Sequence, residues 1–372
     1  MAWRLTAMAW RAPDWTRVHR DEPLGFWAMP LAVCSIPYGI GSRIRAWSYK
    51  RGILKRKRLP GFVVSVGNLT VGGTGKTPAV EMLAGWAREN NFRVAVLSRG
   101  YQGKYREKVL AVSDRKGIRA DCTDSGDEAY LLAGRLSGIP VVVSRDRYSA
   151  GLFARERFGS DFFILDDGFQ HLELERDVDI VLMDAERPFG NGHLLPWGPL
   201  REPVAQLARA DAFVFTRSSV HRQVVPDVLS GKFSDTPVFF ADHRASEIVF
   251  PDADRLETPD FINGKKVVAF AGIGRPDQFR KNLEELGATV VHFRGFRDHH
   301  IFARQDLETL IQVREELGAA YIITTEKDWV RLRTLNRRVP ELAFVRIAFV
   351  LLSGGNRFFR FVADAARKAA SR

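Results

Sequence analysis

Short apolar runs punctuate the chain from residue 62 onward, and longer stretches of helical spacing separate them. The first set is "FVVSVG" (62–67), "RVAVLSRG" (93–100), "PVVVS" (140–144), "DFFILDDG" (161–168) and "VDIVLMDA" (178–185). These runs are brief, rich in β-branched and aromatic residues, and mostly close on Gly, Ser or Asp, which marks buried strands. Between them, "SGDEAYLLAGRLSG" and "DRYSAGLFARERFG" have the spacing of amphipathic helices. A second set follows: "DAFVFTR" (211–217), "KKVVAFAGIG" (265–274), "TVVHFRG" (289–295), "AAYIITT" (319–325) and "AFVRIAFV" (343–350), with "RPDQFRKNLEELG" and "RQDLETLIQVREELG" as helices. The alternation predicts an α/β fold: a mostly parallel sheet with helices on both faces, joined to a second α/β domain. The Pro- and Gly-rich stretch 186–210 reads as the transition. The expected organisation is an N-terminal segment 1–58, a core 59–205 and a second domain 206–372.

The N-terminal segment breaks the pattern. "PLGFWAMPLAVCSIPYGIG" (23–41) is apolar and aromatic, but Pro30, Pro37 and three glycines interrupt it. It falls short of the roughly 20 apolar residues that span a bilayer. Charged "RVHRDE" precedes it and no small-residue cleavage site follows, so it is no cleavable signal. From Arg43 to Arg58 come eight Lys or Arg and no acid. An apolar, Trp-bearing stretch followed by a basic one suits a helix lying on an anionic membrane surface. The alternative is a core-packed helix with a solvated basic tail.

Composition narrows the rest. Of 372 residues, 45% are hydrophobic and 27% charged, a globular balance. Two cysteines, Cys34 and Cys122, exclude a disulfide framework. The net charge of +12 suits an anionic partner. Because the basic run adjoins apolar residues rather than stacking aromatics, a nucleic-acid partner is not expected.

The chemistry starts at "VGNLTVGGTGKTP" (66–78), which follows a strand and opens a helix, the context of a phosphate loop. Position 70, where the general pattern has its first glycine, is Thr. Read from Gly72, "GGTGKT" serves: Gly72, Gly73, Thr74 and Gly75 let backbone N–H groups turn toward phosphates, Lys76 reaches the outer ones, and the Thr77 hydroxyl suits Mg²⁺. ATP and Mg²⁺ are the expected cofactors. "FFILDD" has the form of a metal-coordinating strand end, with Asp166 and Asp167 as carboxylate ligands, or else a strand-end cap. Gln170 and His171 follow in "DDGFQH". A metal site from Asp167 and His171 is conceivable, although hydrogen bonding suits His171 better.

In "SGDEAYLL", Ser125 and Glu128 have capping-box spacing, and Asp127 sits in the first turn. Asp127 is either part of that cap or a carboxylate able to orient or deprotonate a hydroxyl. "FRDHHIF" groups Asp298, His299 and His300, where a carboxylate can orient an imidazole. In "GNGHLLPWGPLREP" (190–203), Arg201 and Glu202 could clamp a phosphate or hydroxyls. "TTEKDWVRL" sets Glu326, Lys327 and Asp328 at a site edge or a helix cap.

Taken in order, "VGNLTVGGTGKTP", "LSRGY", "GDEAYLLA", "LDDGFQH", "GNGHLLPWGPLREP", "FAGIGRPDQF", "FRDHH" and "TTEKDWVRL" resemble the tetraacyldisaccharide 4'-kinase family, over about residues 23–332. The resemblance implies transfer of the ATP γ-phosphate to the 4'-hydroxyl of a membrane-embedded, tetraacylated glucosamine disaccharide 1-phosphate, giving lipid IVA in lipid A biosynthesis. It implies a P-loop core and a second α/β domain closing on the site. It also implies work with Mg²⁺ on the cytoplasmic face of the bacterial inner membrane, as a peripheral or monotopic protein. Lys76 and Thr77 match the family's loop residues, and Asp127 its catalytic aspartate, partnered by the histidine matched by His299. Asp166 and Asp167 match the acidic pair near the metal, and Arg201 and Glu202 a pair near nucleotide and substrate. Two rivals are weaker. A GTPase-like regulator lacks N-K-x-D, since "TEKD" (325–328) has the wrong order, and a kinase for a soluble sugar leaves the apolar segment unexplained.

Overall fold

The computed structural model describes residues 28–218 and 225–371. The start of the N-terminal segment, residues 1–27, lies outside the described residues. Helix α1 (Ala28–Lys50) runs through Pro37 and leads into β1 (Phe62–Asn68), followed by α2 (Lys76–Glu89) and β2 (Val94–Ser98). Next come the edge strands β3 (Leu110–Asp114) and β4 (Gly117–Ile118), short α3 (Cys122–Ser125), α4 (Asp127–Arg135), β5 (Val141–Val143), α5 (Arg147–Phe158), β6 (Phe162–Asp166) and β7 (Val178–Asp184). The remainder comprises β8 (Ala212–Thr216), α6 (Asp227–Lys232), β9 (Val238–Phe250), β10 (Arg255–Glu257), β11 (Lys266–Ala271), α7 (Pro276–Glu285), β12 (Thr289–Gly295), α8 (Arg304–Glu316), β13 (Tyr321–Thr325), α9 (Glu326–Leu332), β14 (Leu342–Ser353) and α10 (Gly355–Ala370).

All strands share one sheet in the order β12-β11-β13-β14-β9-β8-β7-β1-β6-β2-β5-β3-β4, with β10 beside β9. Pairing is parallel except at β3–β4, β3–β5, β9–β10 and β9–β14. The central strands β1, β2, β6 and β7 are buried along their whole length, as strands covered on both faces must be. Alternate residues feed opposite layers. Val64 and Val66 meet α2 and α4, whereas Val63 and Leu165 meet Ala150 and Ala154 of α5. The strands around β11 are clothed likewise by α7 on one face and α8 on the other.

Two elements beyond residue 205 belong physically to the phosphate-loop half. Strand β8 pairs in parallel with β7. Helix α10 buries Phe358, Val362 and Ala366, one stripe at helical spacing, in the core that holds Val64 and Leu83. Each large apolar side chain so buried contributes about 1.5–3 kcal/mol. The expected boundary at 205/206 therefore cuts through a shared core. Long β9 carries the sheet from one half to the other: Val238–Phe240 pair with β8, and the rest pairs antiparallel with β14.

Candidate active site

The phosphate loop springs from the carboxyl end of β1. Thr70 stands where a glycine was expected because it forms an antiparallel bridge to Leu200, and Val71 N donates to Pro199 O at 2.8 Å. The backbone there is extended and needs no glycine. The turn comes later, at Gly72 (φ 115°) and Gly75 (φ 83°). Gly75 caps α2 without a side-chain bond, which leaves the first N–H groups of the helix for an anion. Any Cβ on Gly75 would lie 1.8 Å from His243 Nε2. That ring, on β9, is half-buried, its shielded Nε2 has no partner among the described residues, and burial pushes its pKa down to about 4.

Lys76 Nζ donates to Asn68 Oδ1 at 3.2 Å and lies 3.6 Å from Asp167 Oδ1. Thr77 is buried at the head of α2. Register Val66↔Asp166 sets the acidic pair beside the loop. Asp166 accepts from Ser98 Oγ at 3.1 Å, and burial, with Glu128 and Asp167 nearby, raises its carboxyl. Asp167 adopts a left-handed φ of 52°, which turns its carboxylate to Arg201 Nη1 at 2.8 Å. Burial would raise that carboxyl as well, but Lys76 and Arg201 hold it below the usual range. Gln170 Nε2 donates to Asn68 O at 2.9 Å, and its Oε1 accepts from Arg201 at 3.3 Å. His171 Nε2 is buried without a partner among the described residues, and burial followed by Arg147 pushes its ring to about 4. Arg201 and Glu202 part company: Glu202 is buried and accepts from Arg209 Nη2 at 2.6 Å.

The second half supplies the facing wall. The loop after β12 holds His299 at φ 58°, with its N–H donating to Asp298 Oδ1 at 3.0 Å. Its Nδ1 lies 3.7 Å from Asp127 Oδ2. His300 turns away to Asp306 Oδ2 at 3.0 Å. The capping box expected from Ser125 and Glu128 does not form. Ser125 ends α3, where its hydroxyl donates to Asp121 O, and α4 starts at Gly126 without a side-chain cap. Glu128 instead accepts from Lys327 Nζ at 2.7 Å, and Lys327 holds its carboxyl down. Arg135 of α4 binds Glu326, and Arg331 binds Asp127, so α4 and α9 join the halves by three ion pairs.

The pattern along the chain did not reveal Arg331, Arg147, Asn68, Ser98 or His243. Nor did it reveal Arg217, which donates to Gly73 O at 2.7 Å and to Asp184. One signal was available: Arg331 lies three residues beyond Asp328, on the same helical face. Among the described residues no group of three or more His, Cys, Asp or Glu is arranged to hold a metal ion.

A kinase-type loop and an acidic strand end thus lie side by side, with Glu128 next to them and the Asp127–His299 pair one residue further along. A family model described as tetraacyldisaccharide-1-P 4'-kinase matches residues 27–364. The chain belongs to that family. Family members named tetraacyldisaccharide 4'-kinase include one from Syntrophus aciditrophicus, 40% identical over 86% of this chain and 88% of its own. Another, from Geobacter metallireducens, is 42% identical over 81% of this chain and 88% of its own. A solved family structure, LpxK from Aquifex aeolicus in complex with ATP, superposes with a TM-score of 0.75 at 33% identity, covering 91% of this chain and 99% of that one.

Proposed function

We propose that the cleft carries the γ-phosphate of ATP on the phosphate loop to the 4'-hydroxyl of an acylated glucosamine disaccharide 1-phosphate at Asp127 and His299. The chain is an enzyme, a kinase of lipid A biosynthesis, and ATP is its donor. The observation that carries the residue roles is the placing of Glu128, next to Asp127, within electrostatic reach of both Lys76 and Asp167. Donor and acceptor sides therefore adjoin, with His299 brought to Asp127 from the second half. Gly72–Thr77 cradle the phosphates, Lys76 meets charge developing on them, and Arg201 keeps Asp167 ionised and oriented. Thr77, Asp166 and Asp167 offer a hydroxyl and two carboxylates beside the phosphate loop, the hard oxygen donors that suit Mg²⁺. When bound, the ion would neutralise phosphate charge. Gln170 and His171 line the same cleft, with Asp298 behind His299. The loop after β12 and helix α9 close it from the second half.

The test is phosphorylation of the acylated disaccharide by the purified protein with Mg²⁺-ATP, beside the deacylated sugar. Turnover of the acylated compound alone is expected, and equal rates on both would sink the lipid reading.

Helix α1 supports a membrane-surface position; the cytoplasmic face is proposed because ATP is the donor. No helix among the described residues is long and apolar enough to cross a membrane. Yet Met29, Val33, Ile36, Ile40, Ile44 and Trp47 form one exposed apolar stripe at helical spacing. The helix is pinned to the site: the Tyr38 hydroxyl donates to Arg201 O at 2.8 Å and Arg45 Nη1 to Gln170 O at 3.1 Å. A lipid surface under the stripe delivers the acceptor beside Arg201, and Arg43 and Lys50 meet its anionic groups. Ile36→Glu with Ile44→Glu is expected to lower co-sedimentation with anionic vesicles at least about tenfold, since each buried side chain contributes about 1.5–3 kcal/mol. Unchanged sedimentation would refute the docking.

A further inference from the structure

Arg331 stands between the two residues assigned to the acceptor proton. Its side chain is 8% exposed, and all its reach is used. Nε donates to Asp127 Oδ2 at 2.5 Å and Nη2 to His299 Nδ1 at 3.1 Å. Nη1 donates to Gly272 O at 3.0 Å and Asp328 Oδ1 at 3.1 Å. Asp328 is itself fixed by Thr325 Oγ1 at 2.6 Å and Gly272 N at 3.0 Å. The guanidinium is thus held from behind by the second half and presents its front edge to Asp127 and His299. Direct contact between these two is looser, at 3.7 Å.

We propose that Arg331 is the positioning residue of the acceptor base: it ties Asp127 and His299 into one unit, keeps Asp127 ionised, and leaves Asp127 Oδ1 as the atom that takes the hydroxyl proton. The inference rests on the reading of Asp127 and His299 as the proton-accepting pair. A guanidinium only donates, so His299 Nδ1 is the acceptor and the ring proton sits on Nε2. Neither imidazole nitrogen then has a free lone pair. Oδ2 of Asp127 is taken by Arg331, and Oδ1 carries only the weak thiol donor of Cys122 at 3.5 Å. As the 4'-oxygen bonds to the γ-phosphorus and the bond to the departing ADP oxygen breaks, the hydroxyl proton passes to Oδ1. In a loose transition state this proton leaves late, so a weakly basic carboxylate suffices provided it is always ionised.

The surroundings show why Arg331 is needed. Asp127 is faced by Cys122 from α3, by His299 from the loop after β12 and by Arg331 from α9; Asp298 lies beside His299, Asp328 behind Arg331, and Arg333 near Cys122. Cys122 is pushed up to about 12 by burial and by Asp127, so it stays a neutral thiol. Burial alone would raise the Asp127 carboxyl; the His299 ring and the Arg331 guanidinium beside it hold it well below the carboxylate range instead. Without Arg331, burial would push it upward.

The sign follows. A carboxylate held down stays active toward acid, and one released is protonated at a higher pH, so the acid limb of the rate profile moves up. Turnover of the acylated disaccharide is measured from pH 5 to 9 for wild type, Arg331→Met, Arg331→Lys, Asp127→Asn and Asp127→Asn/Arg331→Met, with ATP affinity by titration as the check on folding. Arg331→Met is expected to lower kcat about 10²-fold. It should bring an acid limb from Asp127 into the pH 5–9 window, where wild type has none, with ATP affinity held within about threefold. Arg331→Lys should restore part of kcat and move the limb back out of the window. The double variant should be no slower than Asp127→Asn alone, because both changes disable one unit. No acid limb inside the window in either Arg331 variant, or a double variant slower by the product of the two losses, would make Arg331 a mere tie between the halves and overturn the proposal. Wild-type turnover in Asp127→Asn would overturn the base assignment itself, which is a separate result.

Discussion

Lys76→Ala lowers kcat with the acylated disaccharide by about 10²–10³-fold at saturating ATP, the loss seen when one preorganised donor to a developing oxyanion is removed. The expectation comes from where the ammonium sits. Its side chain is only 11% exposed, wedged between the Asn68 carboxamide and the Asp167 carboxylate at the end of β1. Charge there is poorly screened and does not need to be gathered during the reaction. Its removal also leaves Asp166, Asp167 and Glu128 facing one another with one cation fewer. The variant should therefore lose phosphate stabilisation and gain repulsion toward the nucleotide. Its thermal midpoint should change little, because the loop backbone is held by the Thr70–Leu200 bridge rather than by Lys76. A kcat within about fivefold of wild type would remove Lys76 from the transition state.

Much of this architecture is legible along the chain, for a physical reason. Strands covered on both faces must be continuous apolar runs, and "FVVSVG", "DFFILDD" and "VDIVLMDA" all coincide with β1, β6 and β7. Strand β9 was hidden because it is not covered on both faces: "VFFADHRASEIVF" mixes Asp242, His243, Arg244 and Glu247 into the joint between the halves. The phosphate loop was legible because its geometry is local. What was not legible is whatever depends on two distant segments meeting. Arg331 reaches Asp127 across 204 positions. Glu128 shows the same limit from the other side. Its spacing from Ser125 was a good local cap, but Lys327, brought up by α9, offers a charged partner that a backbone N–H cannot match. Local rules failed where a contact between halves was stronger than the local one.

Asp127→Asn lowers kcat by about 10²–10⁴-fold while ATP affinity stays within about threefold. The substitution keeps the shape of the side chain, so the contacts to Cys122 and Arg331 can persist, but it removes the charge and the only acceptor able to take a proton. ATP binding should survive because the partners of Asp127 are Cys122, Arg331 and His299, none of them in the phosphate loop. The rival reading was that Asp127 merely helps start a helix. The structure weakens that rival: α4 is capped by Gly126 without a side-chain bond, and both carboxylate oxygens of Asp127 point to Arg331 and Cys122 rather than to the first N–H groups of the helix. A helix-start role would cost about 0.5–2 kcal/mol of stability and leave the rate alone. The two readings therefore separate in one pair of measurements, kcat and thermal midpoint. A large fall in kcat with a steady midpoint identifies the proton acceptor, and a steady kcat with a lowered midpoint leaves only a helix start.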